Sequence, residues 1–477
     1  MTGNGEPNIL VLDVGSSALK AVIFDPHGSR LAATEAAYGA GASAERHPPN
    51  EWWWAVVAAV NALKPAGIAA VVLTGMMENL IPVDADGEPI GDAILYPDGC
   101  GAPFLARARN RLEAADAARI CGNAPEPLMT GFKLMWLRNE DPTRYAAARC
   151  FLPGARDFIA LKLTGEATTD PICAATTGLM DIATRDWSAP LLAIAGIERG
   201  RLPAIRPATA IVGHLGARVA AELGLPSGTP VVNGCGDAGA AAMGGGADHP
   251  GDASLYVGTS GWVARIAENA VLDNASPLYR LPHPVSGDVV EIAPILSAGA
   301  AASWARGALG LDLAAAEQLA GQADLAPGDA LFLPYLTGER SPFLDLEVRG
   351  AFLGLDPADG PGELYYAVLE GVALAIDANL RIMGGTGGRV TLSGGGALSP
   401  VWCRIIADII GTPIEVAADP VSATAFGAFR IAQQALGMRV SGASFATAAK
   451  PRADRKDRVK RLKERFALAT DLVRRFS

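Results

Sequence analysis

The chain has 477 residues, half of them apolar and only 19% charged. Most of it can therefore bury a core, and its length exceeds what one core supports, so two domains are expected. Fifty Asp and Glu against forty Lys and Arg leave a net charge of −10, which excludes the basic footprint that binding nucleic acid requires.

The first basic residue is Lys20, so the amino end lacks the positive region of a secretory signal. No uncharged run reaches the ~18 apolar residues of a membrane span; residues 292–305 are the longest, ending at Arg306. The six cysteines (100, 121, 150, 173, 235, 403) form no CxxC, and the five histidines never fall at ligand spacing. A cytoplasmic location with no membrane partner and no zinc or haem is expected.

In chain order, ILVLD (9–13) reads as a strand, VGSS (14–17) as a tight turn, residues 19–24 as a second strand and DPHG (25–28) as another turn. Residues 52–63 and 132–138 read as helices, 69–73 as a strand, and 231–233 as a buried strand running into GCGD (234–237). The opening grammar returns 243 residues later, where SLYV (254–257) leads into GTSG (258–261) and a strand at 262–266. GGGADHPG (244–251), just upstream, is the best linker candidate, and the boundary is placed at residue 247. Beyond it, residues 364–382 read as a long helix, 389–392 as a strand running into SGGG (393–396), and 401–410 as the helix behind that turn. Residues 450–477 carry eleven Lys/Arg against four Asp/Glu, with Val459, Leu462, Phe466, Ala469 and Val473 on one face, the pattern of a solvated amphipathic helix. The class is α/β.

Two Gly/Ser/Thr turns, one per half, offer backbone N–H groups and hydroxyls to an anion, which suits a polyphosphate clamped between domains. Asp13 at the first turn would need a divalent cation between itself and a phosphate; its other reading is a turn-forming Asp. Lys20 reads as a phosphate ligand or a surface lysine. Asp237, flanked by glycines, reads equally as a reactive carboxylate or a helix N-cap. SGGGALS (393–399) lacks the last glycine of a dinucleotide fingerprint and suits a flat turn beneath an adenine or ribose. PYLTGERSP (334–342) reads as a structural Glu339–Arg340 loop.

LDVGSSALKAVIFD, AILYPDG (93–99), FLPGARDFIALKLTGEATTD (151–170), NGCGDAGAAAMGGG, YVGTSG, PYLTGERSPF, AVLEGVALAI (367–376) and SGGGALSPVW stand in one order. This set resembles the FGGY carbohydrate kinases, most closely the pentulose kinases and xylulokinase in particular, from about residue 8 to about 440. The resemblance implies two actin-like (ribonuclease H-like) ATPase domains with an inter-domain cleft. Residues 1–247 would carry the sugar side and 248–477 the nucleotide side, and the substrates would be ATP and a small sugar or polyol. A homodimer is common among similar kinases.

The family pattern assigns Asp237 as general base and Asp13, with Asp237, to Mg2+. It sets Gly15, Ser16, Ser17 and Lys20 at the γ-phosphate, Gly258 and Thr259 at the β/γ groups, and Gly299, Ser303, Gly396, Ala397 and Pro400 at the nucleotide. Met77, Glu78 and Asp98 fall on the sugar side. Glu78 replaces the histidine of xylulokinases, which turns a donor-capable imidazole into a carboxylate acceptor like the one glycerol kinase carries there. A different sugar specificity within the family and a non-kinase actin-like ATPase are the alternatives.

Overall fold

The computed structural model describes residues 8–39, 43, 45–268, 277–417, 423–442 and 444–476. The first half contains β1 (Asn8–Val14), β2 (Ala18–Phe24), β3 (Arg30–Ala37), α1 (Pro49–Leu63), β4 (Ile68–Gly75), α2 (Thr130–Glu140), α3 (Ala155–Thr164), β5 (Ile211–His214), β6 (Pro230–Gly236) and α4 (Asp237–Gly244). Its six-stranded sheet runs β5-β6-β4-β1-β2-β3. The central strands β1 and β4 are apolar and buried on both faces, as strands covered by helices on both sides must be. The rim strand β3 shows no fully buried residue and alternates half-buried with exposed positions.

The second half contains β7 (Ala253–Val257), β8 (Gly261–Ala267), β9 (Tyr279–Pro282), β10 (Val289–Ile295), α5 (Gly299–Leu309), α6 (Pro361–Ile382), β11 (Val390–Ser393), α7 (Pro400–Ile410), β12 (Ile414–Ala417), α8 (Ala423–Ala435), β13 (Phe445–Ala449) and α9 (Lys456–Val473). Its seven-stranded sheet runs β9-β10-β8-β7-β11-β12-β13.

The two sheets share one plan. In the first, β1-β2-β3 form an antiparallel meander, β4 and β6 join β1 in parallel, and β5 closes antiparallel. In the second, β7-β8-β10 form the meander, β11 and β12 are parallel, and β13 is antiparallel. The recurring turn motif is thus the local sign of a duplicated sheet.

Helix α8 departs from this division. Ala425, Ala428, Phe429, Ile431 and Ala432 pack into the first half's core with Ile9, Val11, Phe24, Ala70 and Val232. Phe24 stacks on Phe429 with ring centroids 4.9 Å apart. Glycines bring α8 against α4: a Cβ on Gly427 would overlap the Ala240 carbonyl oxygen, and one on Gly244 the Ala423 carbonyl oxygen. Of the expected linker 244–251, residues 244–247 are buried, and at Gly244 the glycine serves close helix contact rather than flexibility. Helix α9 buries Val459, Leu462, Phe466 and Ala469 against the second core. All six cysteines are free thiols, and among the described residues no helix is long and apolar enough to cross a membrane.

Candidate active site

Three parallel strands of the first sheet end side by side. Register places Asp13 beside Thr74 and Thr74 beside Cys235, then Val14 beside Gly75 and Gly75 beside Gly236. Whatever follows these strands is delivered to one crevice at their carboxyl ends, where ligands bind in open α/β sheets. Asp13, Met77, Glu78 and Asp237 all lie at or just beyond those ends. Close passage there requires glycine: at Gly75, with φ +149, a Cβ would stand 2.5 Å from the Val14 carbonyl oxygen.

Asp237 opens α4, but the N-cap is Gly236, which supplies no side-chain cap. The Asp237 carboxylate accepts from the Ala238 N–H at 2.8 Å. Burial, and next the nearby Asp13 carboxylate, push its pKa up to about 7. Burial likewise lifts Asp13 to about 6, opposed by Lys20, which stands opposite it across the β1–β2 ladder. Gly15 closes the first turn, its N–H donating to Ala18 O at 3.1 Å and its carbonyl accepting from Tyr38 Oη at 3.0 Å, while Ser16 and Ser17 are exposed.

The equivalent register positions of the second sheet carry aromatics: Tyr256 pairs with Trp262, the rings stacked with centroids 5.7 Å apart. A cavity of about 340 Å³ separates the two arrangements, with Lys20, Asp237 and Ala241 on one wall, Tyr256, Trp262 and Ser393 on the other, and Ala423 and Thr424 at the start of α8 completing it. Predicted residues Lys20 and Asp237 meet here. Ser393 opens the SGGG turn expected beneath the nucleotide, whereas Tyr256 and Trp262 are not among the expected site residues, although they flank the first of the C-terminal turns.

The other nucleotide-side positions gather at the end of β7. The Gly258 and Thr259 carbonyls accept from Gly299 N (2.7 Å) and Ala300 N (2.8 Å), so the first turn of α5 docks on the GTSG loop. A Cβ on Gly299 would overlap the Gly258 carbonyl, and one on Gly396 would stand 2.6 Å from Val257 Cγ1, which lays the SGGG turn flat against β7. Ala397 follows in that turn. Ser303 and Pro400 are exposed, and the Ser303 hydroxyl accepts from Arg306 at 3.1 Å.

On the sugar side, Met77 reaches Gly236, where its Sδ fills the place a Cβ would take. Glu78 holds a left-handed backbone (φ +61), unusual for a residue with a side chain. Lys133 of α2, buried, organises the surroundings. Its Nζ donates to Glu78 O (2.7 Å), Leu95 O (2.8 Å) and Tyr96 O (3.3 Å), tying the Glu78 turn to the strand end that leads to Asp98. Burial raises the Glu78 carboxyl and lowers the Lys133 ammonium, and each holds the other charged. Asp98 pairs with Arg46 at 2.8 Å and accepts from Cys100 N at 2.8 Å.

Beneath the crevice lies an ion-pair network. Arg156 of α3 donates to Asp170 Oδ2 (2.7 Å) and to Asn233 Oδ1 on β6 (2.6 Å), and stands 3.3 Å from Asp157. All four side chains are fully buried. The network clamps β6 three residues before Gly236, and Asp170 adds to the upward push on Asp237. Asp157, Asp170 and Cys173 place ligand atoms within 4.8 Å of one another, but both carboxylates are already paired with the Arg156 guanidinium and the Cys173 thiol is held far above its ordinary value by burial. At Asp13 and Asp237 the balance is reversed. Asp13 and Asp237 are half-buried, the Asp13 carboxylate raises the cost of ionising Asp237, and Lys20 offsets the cost at Asp13, a donor set that fits a cation completing its shell from phosphates and water, as Mg2+ does.

Two copies of one sheet plan facing each other across a cleft with acids and a lysine define a phosphotransferase of the actin-like α/β type. The chain belongs to the FGGY family of carbohydrate kinases: the family's N-terminal domain matches residues 8–244 and its C-terminal domain residues 253–436. It is an ATP-dependent sugar kinase. It is 32% identical over 437 residues to the xylulose kinase of Escherichia coli (strain K12), covering 88% of this chain and 89% of that one. Among solved structures it resembles a ligand-bound xylulose kinase from Lactobacillus acidophilus (26% identity, TM-score 0.90, covering 99% of this chain and 100% of that one). It also resembles a gluconate kinase from the same organism (26% identity, TM-score 0.89, with the same coverage).

Proposed function

We propose that the chain transfers the γ-phosphoryl group of ATP to a hydroxyl of a ketose or polyol, a pentulose such as xylulose being the preferred acceptor, with Asp237 as general base. The observation that carries this reading is Asp237 itself, a carboxylate at the start of α4 that lines the cavity together with Lys20 and whose pKa is pushed up to about 7. A base half ionised near neutrality accepts a hydroxyl proton with the greatest efficiency.

Phosphoryl transfer asks for positioning and charge neutralisation rather than covalent work by the protein. Ser16, Ser17 and Lys20, with the Gly15 backbone, would receive the γ-phosphate, and Gly258 and Thr259 the β/γ groups. Gly299, Ser303, Gly396, Ala397 and Pro400 would border the nucleoside. Mg2+ held by Asp13 and Asp237 would supply neutralisation of the phosphate oxygens. Met77, Glu78 and Asp98 would contact the acceptor. In this reading residues 1–247 form the sugar-side domain and 248–477 the nucleotide-side domain. Closure on the acceptor would exclude water as competing nucleophile.

Similarity to xylulose kinases supports a pentulose, and the Glu78 carboxylate, an acceptor of hydroxyl protons, supports a neutral polyhydroxy compound. The test is a panel of xylulose, ribulose, gluconate, erythritol and glycerol read by coupled ADP release, run also on Asp237→Asn. The variant is expected to lose about 10²–10⁴-fold in kcat, while acceptor binding measured by calorimetry persists. Near-normal turnover would remove Asp237 from the chemistry.

A further inference from the structure

A triad of side chains, Glu126, Tyr279 and Arg340, joins the two halves of the molecule. Glu126 lies in the first half, just before α2, in a segment tied twice to the Glu78 turn: Thr130 Oγ1 donates to Asn79 O at 3.0 Å and Lys133 Nζ to Glu78 O at 2.7 Å. From the second half, Tyr279 at the start of β9 donates its hydroxyl to Glu126 Oε2 at 2.5 Å. Arg340 donates to that same oxygen and to the Tyr279 hydroxyl, with its guanidinium carbon 4.9 Å above the Tyr279 ring.

The arms of this triad are anchored. Arg340 is held by Glu339, whose carboxylate accepts from Leu296 N (3.1 Å) and Arg340 N (2.9 Å). The Asn123 amide pairs with both backbone groups of Arg280, at 2.7 and 2.8 Å, pinning β9 to the first half three residues before Glu126. Residues 153 and 214 apart in sequence therefore converge on one carboxylate. Both bonds use Oε2, and Oε1 accepts none from any described residue. The Glu78 carboxyl feels both Glu126 and Arg340, so the triad borders the same space.

We infer that Glu126, held across the cleft by Tyr279 and Arg340, is the far wall of the acceptor pocket, and that its Oε1 accepts a hydrogen bond from a hydroxyl remote from the phosphorylated one. This inference rests on the acceptor lying beside Glu78. The pocket then presents carboxylates at two separated points, Glu78 and Glu126. It selects a neutral ketose or polyol with hydroxyls at both ends and rejects an aldonate, whose carboxylate would face one of theirs. Because Glu126 comes from one half and its two anchors from the other, the wall is complete only when the halves are together.

The test compares Glu126→Gln, Tyr279→Phe and Glu78→Gln on xylulose, glycerol and gluconate, with KM for acceptor and for ATP determined separately. For Glu126→Gln, which keeps the shape and removes the charge, acceptor KM should rise about tenfold or more for neutral acceptors. Its KM for ATP should stay within twofold, and gluconate should gain relative to xylulose. Tyr279→Phe, which deletes one hydroxyl, should move acceptor KM in the same direction by less. If Glu78→Gln raises acceptor KM while Glu126→Gln and Tyr279→Phe leave it within twofold, the wall is refuted and the pocket stands. If none of the three moves it, the placement of the acceptor beside Glu78 fails as well. Should Glu126→Gln lower the melting temperature, Tyr279→Phe decides on the same criterion.

Discussion

Holding Asp237 ready as a base has a stability cost that can be measured. Its folded pKa of about 7 lies above its ordinary 3.8. Stability contributed by its protonated form is therefore complete below pH 3.8 and is lost as pH rises toward 7. At ~1.36 kcal/mol per unit the full loss at pH 8 is about 4 kcal/mol, of which roughly 2–3 kcal/mol falls between pH 5 and pH 8. Asp237→Asn, uncharged and of the same shape, escapes that loss, while carboxylates remote from Asp237 titrate in both proteins and cancel. The variant should already exceed the wild type by about 1–2 kcal/mol at pH 5, and its advantage should grow by roughly 2–3 kcal/mol more by pH 8. At about 2–4 °C per kcal/mol for a domain of this size, the advantage in melting temperature should grow by roughly 4–12 °C between pH 5 and pH 8. Differential scanning calorimetry of both proteins without nucleotide, at the two pH values, reads it directly. An offset between variant and wild type that is the same at pH 5 and pH 8 would refute the claim that the fold holds the Asp237 pKa up.

Three further outcomes follow from named contacts. Arg156→Leu leaves Asp157 and Asp170 buried without their cation, and should cost about 3–5 kcal/mol in urea unfolding, with loss of soluble protein at 37 °C; a loss under 1 kcal/mol would show that the network does not clamp β6. Gly427→Ala puts a methyl into the Ala240 carbonyl and should cost about 1–3 kcal/mol while lowering kcat, since α4 carries Asp237; unchanged kcat would separate the helix contact from catalysis. Glu78→His restores a donor-capable ring, and kcat/KM for xylulose relative to glycerol should rise severalfold; a ratio unchanged from wild type would remove residue 78 from acceptor choice.

What was legible in the sequence was local. The strand-turn-strand hairpins at residues 9–24 and 254–266 announce themselves because turn chemistry sits between short apolar runs, and the glycines around Asp237 mark a crowded strand end. For Asp237 the local sequence was evenly divided between cap and reactive group; the structure gives the cap position to Gly236 and leaves the carboxylate at the crevice. Long-range packing was not legible. Nothing near Ala425 or Phe429 says that this late helix belongs to the first core, and the triglycine at 244–246 looks like a linker until α8 is seen lying against it. Arg340, read as part of a structural loop, reaches a glutamate 214 positions away. Tyr256 and Trp262 carry no local sign of their place at the cavity, because aromatics beside a turn usually signify only packing.

The lodging of α8 in the first core bears on how the molecule is made. While the chain leaves the ribosome, the strands around Ile9, Val11, Ala70 and Val232 must wait for residues 425–432 before one face of their sheet is covered. A fragment ended at residue 247 would keep that greasy surface open to solvent and should clump. The amino-terminal body is born early and finished late, its last piece supplied from near the other end of the polypeptide.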